Sequence, residues 1–248
     1  MKRLLLVLLA ACSAPVQPAA TGPVKAATGM EWLEGRWHSP QLDSTWMTVG
    51  GVLWGVALND GGFEVNYIDH GALTSLENGD KPQKLALHKV TNDQIVFDEV
   101  TLTKTAGGWR GEFAEPGKPV VAFDMVPAAA AGAPALEEAD RAFAADTERD
   151  GVEGWVKHFD EHGAMWRQDH RVEGLDEVRA SAAKTLGAGA LRWEPVASGA
   201  RGDVGFTLGA ATFTEPGGKP ERLTYCTIWK HEADGSWKVL FDIGRPVE

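Results

Sequence analysis

His158-Phe159-Asp160-Glu161-His162 is the segment that most resembles a reaction centre by spacing alone. Two histidines four residues apart beside a glutamate could hold zinc and a general base on one face of a helix. That chemistry needs a helix running through both histidines and a third ligand. Gly163 follows directly, which suggests a helix end entering a strand, so the spacing is expected to be accidental and no metal is expected. Asp169-His170-Arg171 could put an acid-base group at a pocket mouth, or form a solvated turn. Asp242, among Val239, Leu240, Phe241 and Ile243, reads either as an acid-base group or as a structural hydrogen-bond acceptor. Cys226, within Thr224-Tyr225-Cys226-Thr227-Ile228, is expected to be a small buried hydrophobe rather than a nucleophile. Gly187-Ala188-Gly189 lacks the third glycine and the strand-to-helix setting of a phosphate loop, and no Gly-x-Ser-x-Gly elbow occurs. No cofactor is expected.

The chain that positions these groups has 248 residues, 44% apolar and 24% charged, a balance that disfavours disorder, coiled coil and collagen-like repeats. A net charge of −11 repels phosphate backbones, so nucleic acid is not an expected partner. Ten Trp against two Tyr point to sheets with broad aromatic faces around cores or cavities. Lys2 and Arg3 precede the apolar run Leu4 to Ala11, which is far short of the ~20 residues of a membrane-spanning helix and reads as an export signal. Leu9-Ala10-Ala11-Cys12 resembles the bacterial lipobox, which implies cleavage of residues 1–11 and lipidation of Cys12. Ser13 after the cysteine implies, for a Gram-negative source, an outer-membrane lipoprotein facing the periplasm, held to the membrane by its lipid alone. Residues 12–29, rich in Ala, Pro, Thr and Gly, read as a flexible tether. A second such stretch, 128–134, divides the body into domains at 30–127 and 135–248.

The first half reads as all β, an antiparallel meander that is closed or nearly closed. Eight runs alternate: Thr45 to Thr48, Val52 to Leu58, Phe63 to Ile68, Lys84 to Val90, Gln94 to Asp98, Leu102 to Thr105, Trp109 to Ala114 and Val120 to Val126. Turn signals such as Asn59-Asp60-Gly61-Gly62 and Ala106-Gly107-Gly108 separate them. A barrel of about eight strands can hold a small ligand or be filled by side chains. Trp32-Leu33-Glu34-Gly35-Arg36-Trp37, with Trp46-Met47 and Gly50-Gly51-Val52-Leu53-Trp54-Gly55, resembles the opening of a family of bacterial calycin-like β-barrel domains. Its Gly35-Arg36-Trp37 is similar to the lipocalin start, which implies a Trp plugging one end.

In the second half the period changes to that of helices. Leu136, Ala139, Phe143 and Thr147 share one side of a helix, with Glu137, Glu138, Asp140 and Arg141 read as largely opposite. Helices are also expected over Val152 to Phe159 and Asp176 to Thr185, then strands over Arg192 to Ala197, Val204 to Phe213, Arg222 to His231 and Trp237 to Gly244. This order implies an α+β domain with helices on one face of a sheet. Leu136 to Phe143, Phe159 to Trp166, Leu191-Arg192-Trp193-Glu194-Pro195, Tyr225-x-x-x-Trp229 and Asp234-Gly235-x-Trp237 resemble the SnoaL-like, ketosteroid-isomerase-like branch of the nuclear transport factor 2-like superfamily. The resemblance implies a cone, three helices on a strongly curved antiparallel sheet around an apolar pocket, and a homodimer through this domain. It places Phe143 and Gln168 where the isomerases carry an oxyanion-binding Tyr and a general-base Asp. Neither residue can do that work, which disfavours steroid isomerisation. Alternation puts Leu223, Tyr225, Thr227 and Trp229 on one strand face, and Phe143, Trp155, Phe159 and Trp166 would complete a wall around a ligand, or fill a core. Two readings follow. One is a non-enzymatic binder of a small apolar or amphipathic molecule, or of a partner protein. The other is a small-molecule isomerase, cyclase or hydratase using Asp169, His170 or Asp242.

Overall fold

A computed structural model of the protein describes residues 29–129, 132–167 and 170–247. The apolar leader, Cys12, nearly all of 12–29, Gln168 and Asp169 lie outside the described residues. The chain folds as two units, one ending at residue 131 and the other running from residue 132.

In the first unit a 3-10 turn, Glu31–Leu33, leads into ten strands: β1 (Gly35–His38), β2 (Leu42–Val49), β3 (Val52–Asn59), β4 (Gly62–Asp69), β5 (Ala72–Glu77), β6 (Gln83–Val90), β7 (Gln94–Phe97), β8 (Val100–Thr105), β9 (Gly108–Phe113) and β10 (Val121–Pro127). Each is antiparallel to the next, and β1 closes the barrel on β10 through the pairs Trp37 with Pro127 and His38 with Val126. Two strands carry little sequence signal. β1 has only four residues. β5 follows a two-residue turn at His70-Gly71, where both residues have positive φ, 47° and 74°. This mirror-image turn usually takes Asn-Gly, and histidine in the first place conceals it. Inward side chains of successive strands, among them Trp46, Leu53, Ile68, Ile95, Leu102 and Trp109, form one apolar core. Trp37 packs against it, donating its indole N–H to the Leu33 carbonyl at 2.7 Å.

The second unit runs α1 (Pro134–Asp150), α2 (Val152–Val156), β11 (Phe159–Arg167), β12 (His170–Glu173), α3 (Leu175–Leu186), β13 (Ala190–Arg201), β14 (Val204–Thr214), β15 (Glu221–His231) and β16 (Trp237–Pro246). Pro134 starts α1 where its missing N–H costs nothing, and the Ala133 N–H before it donates to Ser198 Oγ at 2.9 Å. Six strands form one sheet in the order β12-β11-β16-β15-β14-β13, with the helices packed on it: α1 against β13 and β14, α3 against β11 and β12. The three helices and curled sheet are those of the cone. The sheet is mixed rather than wholly antiparallel, because β11 runs parallel to β16. These two strands are far apart in sequence, so no hairpin fixes their relative direction. β11 escapes a period-two reading because a register shift between Phe159 and Ala164 interrupts its alternation. β13 is an edge strand, which tolerates Pro195, and a second register shift between Pro195 and Ala197 leaves Val196 exposed. No helix among the described residues is long and apolar enough to cross a membrane.

Candidate functional site

Leu136, Asp140, Phe143 and Thr147 are buried on α1 at spacings of four, three and four, the stripe a helix turns toward its core. Asp140 therefore belongs to the apolar face, not to the polar one expected of it, and its exposure is 0%. An acid in that position needs partners, and they come from the sheet. Trp193 on β13 donates its indole N–H to Asp140 Oδ1 at 2.6 Å, and Tyr225 on β15 donates its hydroxyl to Oδ2 at 2.8 Å. The Thr207 hydroxyl on β14 bonds the same carboxyl and accepts the Trp229 indole N–H at 2.9 Å.

Strand register explains why these groups converge. Asp242, Thr227, Thr207 and Ser198 pair directly across β16, β15, β14 and β13, a polar row crossing four neighbouring strands on one face. At one end Ser198 Oγ donates to Glu137 of α1 at 2.9 Å. At the other, Asp242 accepts from Thr227 Oγ1 at 3.0 Å and from Arg167 Nη2 at 2.9 Å, an ion pair little exposed to solvent. Gly209, opposite Tyr225, makes room for the phenol. A Cβ there would stand 2.4 Å from the Tyr225 ring and from the Glu194 carbonyl oxygen.

Burial pushes the Asp140 carboxyl up from 3.8 to about 6. Hydrogen bonds from Thr207, Tyr225 and Trp193 oppose the rise, and the charge of Asp242 adds to it. Burial, together with the Asp140 charge and hydrogen bond, raises the Tyr225 phenol well above its ordinary range, so it stays a donor. Asp242 is paired with Arg167, whereas among the described residues no cation pairs with Asp140. Such a group can accept or release a proton near neutral pH with a phenol hydrogen bond beside it.

The aromatic residues divide around this network. Phe143 is ringed by Trp155 and Trp193 at 5.0 Å, His158 at 5.1 Å, Phe159 at 6.1 Å and Trp229 at 6.2 Å, measured between centroids. Phe143, Trp155, Phe159 and Trp229 thus pack ring to ring in one cluster. Leu223 and Tyr225 belong to a second, with Leu191 and Phe213, and Trp193 touches both. Trp166 joins neither, because Met165 turns toward the first cluster and alternation along β11 sends Trp166 the other way. Thr227 and Asp242 lie in the polar row, while His170 is exposed on β12. Gln168 and Asp169 fall outside the described residues. Asp140, Arg167, Trp193 and Thr207 complete the site and were not among the residues expected in it.

Two other groups resolve simply. His158 follows α2 and bonds Asp146 at 2.8 Å, while His162 is 80% exposed on β11, so no helix presents the pair to a metal. Burial lowers His158, against the pull of Asp146. Cys226 is fully buried, and burial raises its thiol far above the range of a reactive cysteine. Among the described residues no group of three His, Cys, Asp or Glu is placed to hold a metal ion.

The sequence profile of the SnoaL-like domain matches residues 139–240, from the turn of α1 that carries Asp140 to β16. The second unit is a SnoaL-like domain. That places it in a superfamily of ligand-binding and enzyme-like domains. Among solved structures, this SnoaL-like domain is similar to a ketosteroid isomerase-like protein from Erwinia carotovora atroseptica SCRI1043, at 16% identity over 46% of this chain and 95% of that one, with a TM-score of 0.42. It is also similar to a nuclear transport factor 2-like protein of unknown function from Pseudomonas putida KT2440, at 12% identity over 46% and 88% of the two chains, TM-score 0.40. A protein of unknown function with a cystatin-like fold from Nostoc punctiforme PCC 73102 matches at 15% identity over 46% and 89%, TM-score 0.39. No curated protein matches the chain.

Proposed function

We propose that the chain is an envelope lipoprotein, anchored through Cys12 at the outer membrane, whose SnoaL-like domain binds a small amphipathic molecule at the Asp140–Tyr225–Trp193 network. One observation carries the reading: a carboxyl, a phenol and an indole N–H are gathered inside the domain between two aromatic clusters. A buried carboxyl without a cation costs stability that hydrocarbon side chains of similar volume would not. Its use in this place is accounted for by recognition of a polar group on an otherwise apolar ligand. A second reading, proton transfer by Asp140, is favoured by the rise of its carboxyl to about 6. In that role Asp140 replaces the acid-base candidates Asp169, His170 and Asp242, and Tyr225 supplies from β15 the phenol that α1 lacks at Phe143.

Native mass spectrometry of the protein purified from its own membranes tests the binding. The wild type is expected to carry a small-molecule adduct that Tyr225→Phe and Asp140→Asn lose, and a bare wild type would contradict the reading. Incubating the released molecule with fresh protein in D2O separates the two functions, because only proton transfer incorporates carbon-bound deuterium. For the anchor, Cys12→Ala is expected to abolish both radiolabelling by palmitate and sedimentation with membranes. Label retained on that variant would contradict lipidation at Cys12.

A further inference from the structure

The last strand of the barrel carries an observation of its own, independent of the SnoaL-like domain. β1 covers only the end of β10, through His38 with Val126 and Trp37 with Pro127. Beyond His38 the chain leaves for β2 in a turn closed by the Ser39 N–H, which donates to the Leu42 carbonyl at 2.9 Å. Val121 to Met125 pair with β9 on one side, and among the described residues no strand pairs with them on the other. Alternation tells which backbone groups are left open. The Ala128 N–H donates to the Arg36 carbonyl, so the even-numbered residues of β10 turn their N–H and C=O away from β9. The Met125 carbonyl turns the other way, to Gly108 of β9, where a Cβ would stand 1.9 Å from its oxygen. The backbone groups of Ala122 and Asp124 therefore point along an open edge. The side chains there are apolar and exposed. Of the five large apolar side chains exposed among the described residues, Phe113, Val120, Val121 and Val126 lie on β10, directly before it, or opposite it on β9.

Charge usually protects such an edge. Here the nearby charges are paired within the protomer: Asp124 with Arg110 at 3.0 Å, Glu112 with Arg110 at 3.3 Å and Lys118 with Glu115 at 2.7 Å. The edge is also complementary to itself. Two copies set antiparallel about Ala122 bring Val121 opposite Phe123 and Asp124 opposite Val120, and no charge faces a like charge. Pairing of this kind uses the same edge on both molecules, so it closes at two copies.

We propose that β10 pairs antiparallel with β10 of a second copy of the chain, about a two-fold axis at Ala122, so that two barrels share one continuous sheet. The backbone groups of Ala122 and Asp124 supply the hydrogen bonds, and the exposed valines with Phe113 supply the apolar contact.

Disulfide trapping tests the register. In the full chain, oxidised in its own membranes, Ala122→Cys places two cysteines on the axis with Cα atoms about 5.5 Å apart, within reach of a disulfide. Glu112→Cys, opposite Ala122 on β9, stands one strand farther out in each copy and roughly 15 Å from its equivalent, out of reach. Cys226 is buried and does not compete, and the unsubstituted protein gives the background. Ala122→Cys is expected to yield a covalent dimer, and Glu112→Cys to stay at background. Adding Asp124→Pro removes an outward N–H from each copy and is expected to weaken the association behind the Ala122→Cys dimer about twentyfold, the value of two net hydrogen bonds. Asp124→Ala, which loses only the exposed ion pair, should change it by less than about threefold. The comparison of the two cysteines stands even if the proline variant folds poorly. No dimer from Ala122→Cys, equal dimer from both cysteines, a dimer indifferent to Asp124→Pro in a folded chain, or a disulfide to a chain of different mass would each overturn the proposal.

Discussion

Asp140→Asn is expected to remove about 3 kcal/mol of pH-dependent destabilisation between pH 4 and pH 7. The sign follows from the direction of the change: in the folded protein the Asp140 carboxyl rises from 3.8 to about 6, so the folded state holds its proton more tightly than the unfolded chain. The stability tied to that proton is complete below pH 3.8 and is lost as the pH climbs through about 6. At about 1.4 kcal/mol per pH unit the loss reaches ~3 kcal/mol. Groups facing the carboxyl are Tyr225, Trp193, Thr207 and, at longer range, Asp242. Asp98, Asp146, Asp150, Asp160 and Asp234 act in the opposite sense, since each is held below its ordinary value and loses its contribution as the pH falls. They are common to both proteins, so urea unfolding of wild type and Asp140→Asn at several pH values isolates Asp140 in the difference. Parallel stability curves would show that the carboxyl is not held in a dry interior.

Phe143→Ala is expected to cost about 4 kcal/mol, among the larger effects available to one residue. Phe143 is the hub of the inner cluster, with five rings around it, and little of the space it leaves can be refilled by neighbours that are themselves rigid. It also stands one helical turn from Asp140, so the same change should loosen the carboxyl from Trp193 and Tyr225. Phe113→Ala makes the comparison, because Phe113 is 38% exposed and its loss should cost under about 1 kcal/mol. Equal costs for the two substitutions, measured by chemical denaturation, would remove Phe143 from the core.

What the sequence shows of this protein is what local chemistry encodes. Asn59-Asp60-Gly61-Gly62 and Ala106-Gly107-Gly108 announce hairpins because two adjacent residues suffice to set a turn. The same rule fails at His70-Gly71, where an uncommon residue adopts the turn, and β5 is hidden with it. The site is harder to see for a different reason. Asp140 meets Trp193 across 53 residues and Tyr225 across 85, and Arg167 meets Asp242 across 75, so no spacing in the chain records these bonds. One signal was present. Asp140 stands four residues after Leu136 and three before Phe143, in the middle of an apolar stripe. Read by type, an aspartate on a helix belongs to solvent; read by period, this one belongs to the core and needs partners there.

The carboxyl carbon of Asp140, assigned by its absence from Asp140→Asn and followed by 13C NMR through a pH titration, tests most directly whether the SnoaL-like domain encloses this polar network. A midpoint near pH 6 is the result expected of a carboxyl sealed between Trp193, Tyr225 and the aromatic clusters. A midpoint at or below 3.8 would mean that water or a cation reaches it, and the enclosed site proposed here would not exist.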